Sequence, residues 1–532
     1  MTMRTNNRKI RGFAKCVMLS ALLAGVFFAS AAMADTLRVI ADGDLKTIDP
    51  IVTTSSTTLV HAYLIYDKLF EFDKSGIPRP QLANKVDVSA DKKSYTIKLR
   101  DGLKFSDGGP ITTDDVIQSL KRWGSRDQTG QLLAARLKEM TKVDDLTFRI
   151  DLREPFDVPA ALAGITGNPA FIMPKRVASL PPTDQLTDTT GSGPYQFDYS
   201  SWKPGQKRIY TKNPNYVPRN DPPSFFSGKK EATFDKIELS YVPDANTAMA
   251  EMLTGQQDIW PTPPMDNALA LRDNPDLVVA KGSFGQGLVV INHVVPPFNN
   301  NKAREALTYL IDQTELNSAA VGDPEFWQTC YAYLTCKGTY GDESAYKGHR
   351  GTADFDKAKK LLEEAGYDGK PIVILDPTDW SEGHARALYL AQQLRKIAAV
   401  DLQAMDWSTL TSRRTSKAPA SEGGWNLFPN TMEGQSASSP LTHLMLASNC
   451  DKAWFGWPCD KTIEDLRAAF ISAVDENEKK KVAGDLQARA STYLPFIMTG
   501  EYSGAVVYRA ELEEFDPAAA YVYFWNVRRK NK

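Results

Sequence analysis

The sequence predicts an α/β protein that also contains a smaller α+β region, and three observations support this fold class. Apolar strand patterns alternate with amphipathic helix patterns across residues 286–499, an order typical of α/β folds. Alternation with a period of two at Tyr95, Ile97 and Leu99, and again from Leu146 to Leu152, predicts antiparallel strands. The chain has 532 residues, of which 42% are hydrophobic, so it is long enough for about three domains.

Residues 1–34 have the order of charged, apolar and small residues that is typical of a secretory signal. Five cations precede an apolar run from Cys16 to Ala32, and the small residues that follow predict cleavage after Ala34. An uncleaved membrane anchor is the alternative, although the run is short for a membrane span. Removing five positive charges from a chain of net charge −2 would leave the mature protein near −7. We therefore expect a periplasmic protein that does not bind nucleic acid.

Four cysteines remain after the predicted cleavage, namely Cys330, Cys336, Cys450 and Cys459. An oxidising compartment favours disulfides, and short loops close more readily than long ones. The sequence thus favours the pairs Cys330–Cys336 and Cys450–Cys459. A zinc site with four thiolates is the alternative, but both gaps exceed the spacing typical of zinc ligands.

The first elements of the mature chain are a strand, a polar loop and a helix. Thr36 to Ile40 predict the strand, and the helix carries Leu59, Val60 and Tyr63. Further on, hydroxyl and acidic residues from Thr112 to Asp115 are typical of a helix N-terminus. Gly191 to Tyr195 predict a crossing between two parts of the fold, because glycine and proline fix unusual backbone geometry.

Strands and helices then alternate toward the C-terminus. Val289 to Ile291 predict a strand that is followed by a proline-rich loop and a helix with an apolar face from Ala303 to Ile311. Later patterns predict helices over 354–365 and 382–398, and strands at 371–375, 400–404 and 423–428. Trp380, Trp407 and Trp425 stand at or beside the ends of these strands. Because such loops often bind ligands, we predict that they contribute contacts.

Three motifs in this order resemble the extracellular solute-binding proteins of family 5, the peptide- and nickel-type group of ABC importers. The motifs are Tyr66 to Glu71, Leu99 to Phe105 with the Thr112 to Val116 helix start, and Gly191 to Tyr195. The resemblance implies a two-lobed periplasmic binding protein type II fold with an extra inserted α+β domain. It places the N-terminal lobe at residues 35–70 and 190–285 with a return at 500–532, the inserted domain at 71–189 and the C-terminal lobe at 286–499.

The resemblance also implies a ligand site between the lobes. Thr53 and Ser55 would line one wall, and Asn292, Asp379 and the three tryptophans would line the other. Peptide-binding members place an acid after the strand that resembles 424–428, where this chain has Asn430 and, as a substitute, Glu433. Dipeptide binders place an arginine in the loop that resembles 376–380, and this chain has none there. A cationic or less charged solute is therefore a better match than a standard dipeptide.

Other classes of function find less support. Ser89 and Lys92 match Ser-x-x-Lys without its companion motifs, and the five histidines lie far apart. We predict no catalytic residue, metal or cofactor, and keep an exported hydrolase as a distant alternative. A metal-chelate carrier, with His293 or His443 near the site, is the nearer alternative. The expected partners are a peptide-like solute and an ABC permease with its ATPase, and we expect a monomer.

Overall fold

The structure is a computed structural model that describes residues 34–165, 167–181, 183–473, 476–519 and 521–530. Apart from Ala34, the predicted signal therefore lies outside the described residues. In the described ranges, none of the helices combines the length and the apolar character that a membrane span requires.

The strands of the described residues are β1 Thr36–Ala41, β2 Phe70–Phe72, β3 Pro78–Pro80, β4 Ala83–Val88, β5 Ser94–Leu99, β6 Leu137–Lys142, β7 Thr147–Leu152, β8 Tyr195–Phe197, β9 Arg208–Lys212, β10 Lys236–Tyr241, β11 Ile259–Trp260, β12 Leu277–Ile291, β13 Trp327–Gln328, β14 Ile372–Pro377, β15 Val400–Met405, β16 Leu427–Glu433, β17 Phe496–Arg509, β18 Leu512–Glu513 and β19 Arg528–Arg529.

The α-helices of the same residues are α1 Ser56–Ile65, α2 Thr113–Gly124, α3 Gln128–Arg136, α4 Val158–Leu162, α5 Lys175–Ala178, α6 Ala245–Leu253, α7 Met265–Ala270, α8 Asn301–Thr308, α9 Gln313–Ala320, α10 Phe355–Glu364, α11 Ser381–Leu394, α12 Trp407–Arg413, α13 Lys461–Ser472 and α14 Glu476–Tyr493.

One mixed sheet runs through most of the molecule, in the order β15-β14-β16-β12-β17-β11-β1-β10-β9-β8. We call the half from β15 to β12, with its helices, the C lobe, and the half from β11 to β8 the N lobe. The antiparallel strands β12 and β17 are 15 and 14 residues long and join the two halves. Register shifts interrupt their pairing between Lys281 and Phe284 and between Gly287 and Leu288.

A second, antiparallel sheet of order β4-β5-β7-β6 forms the core of the inserted region together with α2 and α3. The helix start predicted at Thr112 is confirmed, because Thr112 and Asp115 form a reciprocal capping box. Buried Phe148 and Ile150 of β7 belong to the same hydrophobic cluster as Phe428 and Phe496 of the C lobe. The inserted region therefore packs against the C lobe.

The core of the N lobe combines three distant segments of the chain. Leu37, Tyr210 and Trp525 are all buried in one cluster. The predicted domain limits remain predictions, and β12 and β17 each cross one of them.

Two parts of the secondary structure differ from the sequence prediction. β12 begins at Leu277 and not near Val289, so the glycine-rich stretch before Leu288 belongs to the strand. β16 begins at Leu427 and ends at Glu433, whereas the prediction ended the strand at Phe428. Pro429 indicated a loop because proline lacks an N–H. It is tolerated in the strand because β14 pairs with β16 only at Leu427, which leaves the edge beside Pro429 free.

Both predicted disulfides are present. Cys330 and Cys336 have their sulfur atoms 2.00 Å apart, and the sulfur atoms of Cys450 and Cys459 are 1.89 Å apart.

Candidate functional site

Three adjacent strands place polar side chains around glycine at the junction of the lobes. Gly285 of β12 lies opposite Glu433 of β16 on one side and Tyr502 of β17 on the other. Gly287 lies opposite Thr431. Because alternate residues of a strand share a face, Thr431, Glu433 and Tyr502 stand on one face, with no side chain on the glycines between them.

Glu433 is the acidic group of this face. Its carboxylate accepts hydrogen bonds from the backbone N–H groups of Gln435 and Ser436 at 3.0 and 2.9 Å, and from the Ser283 hydroxyl at 3.5 Å. In the described part of the chain, it forms no ion pair with a lysine, arginine or histidine. Burial raises its pKa, and these hydrogen bonds oppose the shift.

The charge of Glu433 acts on two tyrosines, one in the N lobe and one in the C-terminal segment. The rings of Tyr63 and Tyr521 are stacked with centroids 5.9 Å apart. Burial raises the pKa of both phenols, and the negative charge of Glu433 adds to both shifts. Asp42, which follows β1, also raises the pKa of Tyr521. Burial raises the pKa of Asp42 itself, and a hydrogen bond with Ser56 and the charge of Arg208 oppose that shift. Two carboxylates, one from each lobe, thus lie near the same tyrosine.

A buried network of four charges lies beside Tyr63. Lys68 and Glu71 form an ion pair of 2.8 Å, and Lys230 bridges Asp67 and Glu71 at 2.8 and 3.2 Å, with all four side chains fully buried. The Lys68 ammonium also donates to the Tyr63 hydroxyl at 3.4 Å. The network has equal numbers of positive and negative charges, so it is neutral as a whole. Its contact with the site is the hydrogen bond from Lys68, which helps to hold Tyr63 in place.

Loops of the C lobe reach the N lobe at the edge of the site. The pKa of Tyr241, at the end of β10, is raised by burial and then by the charges of Asp379, Asp44 and Asp406. Asp379 accepts a hydrogen bond of 2.7 Å from the backbone N–H of Trp407. Trp380 and Trp407 meet edge to face, with centroids 5.3 Å apart. The structure therefore brings three of the predicted residues, Asp379, Trp380 and Trp407, together at this edge.

Trp425 and Asn292 occupy different places from those that the sequence indicated. Trp425 is fully buried, packs against Phe428, and donates its indole N–H to the carbonyl of Arg414 at 3.2 Å. Asn292 is also fully buried and donates to the carbonyl of Trp425 at 3.0 Å. In this structure both side chains pack in the C lobe: β16 starts two residues after Trp425, and Asn292 follows the end of β12.

The remaining predicted residues form local contacts. Thr53 accepts from the backbone N–H of Ser55, whose hydroxyl bonds that of Thr57 at 2.9 Å. Asn430 lies inside β16, and the alternation of the strand places it on the opposite face from Thr431 and Glu433. The hydroxyl that forms a hydrogen bond with Asp42 belongs to Ser56, the residue after Ser55.

The two histidines that were candidates for metal binding are buried apart in the C lobe. His293 bonds the carbonyl of Pro495 at 3.0 Å and stacks on Tyr493. His443 bonds the amide oxygen of Gln286 at 3.0 Å and stacks on Phe496. Burial lowers the pKa of each imidazole to about 3, so both are neutral.

Sequence reasoning missed Asp42, Ser56, Tyr63 and Tyr521 as site residues. Asp42 could have been found, because it follows a strand that pairs in parallel with β10, and ligand sites lie at the carboxyl ends of such strands. Tyr521 gives no comparable signal, because only the return of the C-terminal segment places it there.

A sheet shared by two lobes, with polar groups of both lobes meeting at their junction, defines a two-lobed solute-binding protein of the type II periplasmic binding class. The chain belongs to the bacterial extracellular solute-binding proteins, family 5, whose middle-region model matches residues 78–443.

Two relatives are similar along nearly the whole chain. A protein of Sinorhizobium fredii (strain NBRC 101917 / NGR234), named a probable peptide ABC transporter periplasmic-binding protein, is 34% identical over 505 residues, which are 94% of each chain. The glutathione-binding protein GsiB of Salmonella typhimurium LT2 is 28% identical over 498 residues, covering 90% of this chain and 91% of its own. These relatives are solute-binding transport proteins.

A solved structure shows the same fold. The binding protein AgaA from A. tumefacien R10, in complex with agropinic acid, has a TM-score of 0.79 and 21% sequence identity, over 93% of this chain and 99% of that one.

Proposed function

We propose that this protein is the substrate-binding component of an ABC importer and captures a small peptide-like solute in the cleft between the N and C lobes. The observation that carries the proposal is Glu433, a half-buried carboxylate at the lobe junction that has no cationic partner in the described part of the chain. A positively charged amine of the solute would supply that partner. The peptide and glutathione descriptions of the relatives support the same class of solute.

The groups around Glu433 suit an ammonium ion. Asp42 adds a second negative charge, and the stacked rings of Tyr63 and Tyr521 offer aromatic faces and hydroxyl acceptors. Asp379, Trp380 and Trp407 would contact the solute at the edge of the cleft. We further propose that residues 1–34 direct the chain to the periplasm, that the mature protein is a monomer, and that it delivers the solute to a membrane permease without chemical change.

Isothermal titration with a panel of dipeptides, tripeptides and glutathione, each with its N-acetylated counterpart, tests this proposal. We expect Glu433→Gln to weaken binding of the free-amine compounds about tenfold or more, because a charged hydrogen bond is lost. The N-acetylated compounds should bind the wild type and the variant equally weakly. Glu422→Gln, at an exposed site of the same lobe, is the matched control and should bind like the wild type. Equal affinity of Glu433→Gln and wild type for every free amine would contradict the proposal.

A further inference from the structure

A short disulfide loop lies on the two strands that join the lobes. Between their two register shifts, β12 and β17 pair without interruption over residues 284–287 and 500–503, which we call the junction segment. Gly285, Gly287 and Gly500 belong to this segment, and a glycine has no side chain to pack across a strand pair. The order of the junction segment therefore depends on the groups that cover it.

One cross-strand pair of the junction segment contacts the disulfide loop from both strands. Gln286 and Glu501 lie opposite each other and are 1% and 2% exposed. The Gln286 amide donates to the carbonyl of Ala332 at 2.8 Å, and the Glu501 carboxylate accepts from the backbone N–H of Cys336 at 2.7 Å. Both partners belong to the loop that the disulfide between Cys330 and Cys336 closes. The loop therefore bridges β12 and β17 where the two lobes meet.

The other end of the loop is anchored to α9 and β17. Gln313, the first residue of α9, accepts from the N–H of Cys330 at 2.7 Å and donates to its carbonyl at 2.9 Å. The same amide donates to the carbonyl of Met498 in β17 at 3.3 Å. Gln328, just before the loop, pairs with Glu501 and donates to its carboxylate at 2.6 Å. Because the disulfide fixes the distance between the two ends of the loop, it holds these contacts together.

The junction segment also carries groups of the candidate site. Gly285 lies between Glu433 and Tyr502 in the sheet. The ring of Phe284 covers Gly434, where an added Cβ atom would lie 2.3 Å from the ring. The backbone N–H of Gly434 donates to the Phe284 carbonyl at 3.0 Å. A change in the pairing of the junction segment would therefore move Glu433 relative to Tyr502.

We propose that the Cys330–Cys336 disulfide is a positioning element for solute binding, because it orders the junction segment through Gln286 and Glu501. Without the disulfide the segment would sample more conformations, and a smaller fraction of the molecules would have the geometry that binds. The apparent affinity falls by that fraction. The inference rests on the proposed function and assigns a role in binding to residues that lie outside the cleft.

Replacing both cysteines tests this role. The double variant C330S/C336S is titrated with the dipeptides and tripeptides of the panel, without glutathione, whose thiol would exchange with a disulfide. We expect each peptide that binds the wild type to bind this variant about tenfold more weakly. In the unliganded protein, the backbone amides of residues 284–287 and 500–503 should exchange hydrogen about tenfold faster than in the wild type, as measured by mass spectrometry.

The double variant C450S/C459S is the matched control. Its disulfide also closes a short loop, with a sequence separation of 9 against 6, so losing either bond should change the entropy of the unfolded chain by a similar amount. The control loop contacts the backbone of His293, beyond the end of β12, and not the junction segment. We expect similar melting temperatures for the two double variants, but wild-type affinity and wild-type exchange of the junction segment only in the control.

Glu501→Gln decides if C330S/C336S fails to fold. It keeps the disulfide but replaces the charged acceptor of the Cys336 N–H by a weaker neutral one, so it should also speed exchange in the junction segment and weaken binding. The inference is overturned if the two double variants exchange alike in that segment. Faster exchange without a loss of affinity overturns it as well.

Failure of the proposed function is seen separately, because then no peptide binds the wild type. The exchange measurement needs no solute. A difference in exchange between the two double variants, together with the absence of peptide binding, would retain the ordering role of the disulfide and reject the peptide site.

Discussion

The protonation state of Glu433 makes solute binding depend on pH. Burial raises the pKa of this side chain above its ordinary value of 4.5. In the unliganded protein the raised pKa favours the neutral acid, so the free energy of unfolding falls as the pH rises from about 4.5 through the pKa of the folded state. An ammonium ion favours the carboxylate instead. Affinity for a free-amine peptide should therefore increase with pH over the same window, as measured by titration calorimetry.

Glu433→Gln provides the control for this prediction. Its affinity should change little over that window, and without solute it should unfold at a higher temperature than the wild type at pH 7, because an ionised group with a raised pKa is removed. A wild-type affinity that is flat over the window would show that Glu433 does not titrate on binding.

At the scale of single residues, the sequence predicted what lies close to a recognisable motif. Glu433 was found because it follows the strand that resembles a family pattern. Tyr63 was not found, because a tyrosine within an apolar helix pattern is typical of a core residue. Its ring is in fact buried, and it stacks with that of Tyr521 from the distant C-terminal segment.

At the scale of the elements, Trp425 packs in the core just before β16 begins. Trp425 packs on Phe428 and Trp457 and is fully buried, whereas Trp407 is half-buried at the edge of the cleft. We expect Trp425→Ala to lower the free energy of unfolding by about 3–5 kcal/mol, because it leaves a large cavity. Trp407→Ala should lose less stability and should weaken solute binding.

Urea unfolding and titration calorimetry of the two variants separate these effects. Since both replacements remove the same side chain, each variant serves as the control for the other. A Trp425→Ala protein that is as stable as the wild type but has reduced affinity would indicate that Trp425 contacts the solute.

Helices were easier to predict than strands for a local reason. α10 begins at the side-chain cap of Asp354 and stops before Gly366, whose φ of 81° suits glycine, so both ends are encoded in the sequence nearby. The bounds of β16 depend instead on which strands flank it. Pro429 is acceptable only because β14 diverges there, and no local pattern reports that divergence.

For the whole molecule, we propose that closure of the lobes acts through β12 and β17. These two strands form one long antiparallel pair that joins the lobes, and their register shifts near Lys281 and Gly287 mark the places where the pair can bend. A saturating peptide should therefore reduce the radius of gyration in small-angle X-ray scattering. At about 100 times its Kd it should also raise the free energy of unfolding by about 2.7 kcal/mol.

Glutathione and a non-binding N-acetylated peptide at the same concentration would serve as a second solute and as the negative control. A radius of gyration that stays constant while the melting temperature rises would indicate binding to a cleft that is already closed.

The fold class was predictable because strand and helix patterns recur in a family order over most of the chain. That both lobes share one sheet was not predictable, because this depends on strand pairs such as Val290 with Phe496, which are about 200 residues apart in the chain. The same limit applies to the site, where Asp42, Glu433 and Tyr521 come from widely separated segments.

The core of the N lobe, which is built from three distant segments of the chain, also determines when the folding of this lobe can be completed. β1 pairs with β10, as in Thr36 with Lys236, and Trp525 packs in the same core. Arg529 adds an ion pair of 3.0 Å to Asp258. The residues of β1 must therefore wait for partners that follow them by as many as 493 positions before this lobe is complete. Such distant pairing slows folding, because the entropy of closing a long loop must be lost before the contact can form, and this lobe therefore stays open to other interactions for longer than a lobe built from neighbouring segments.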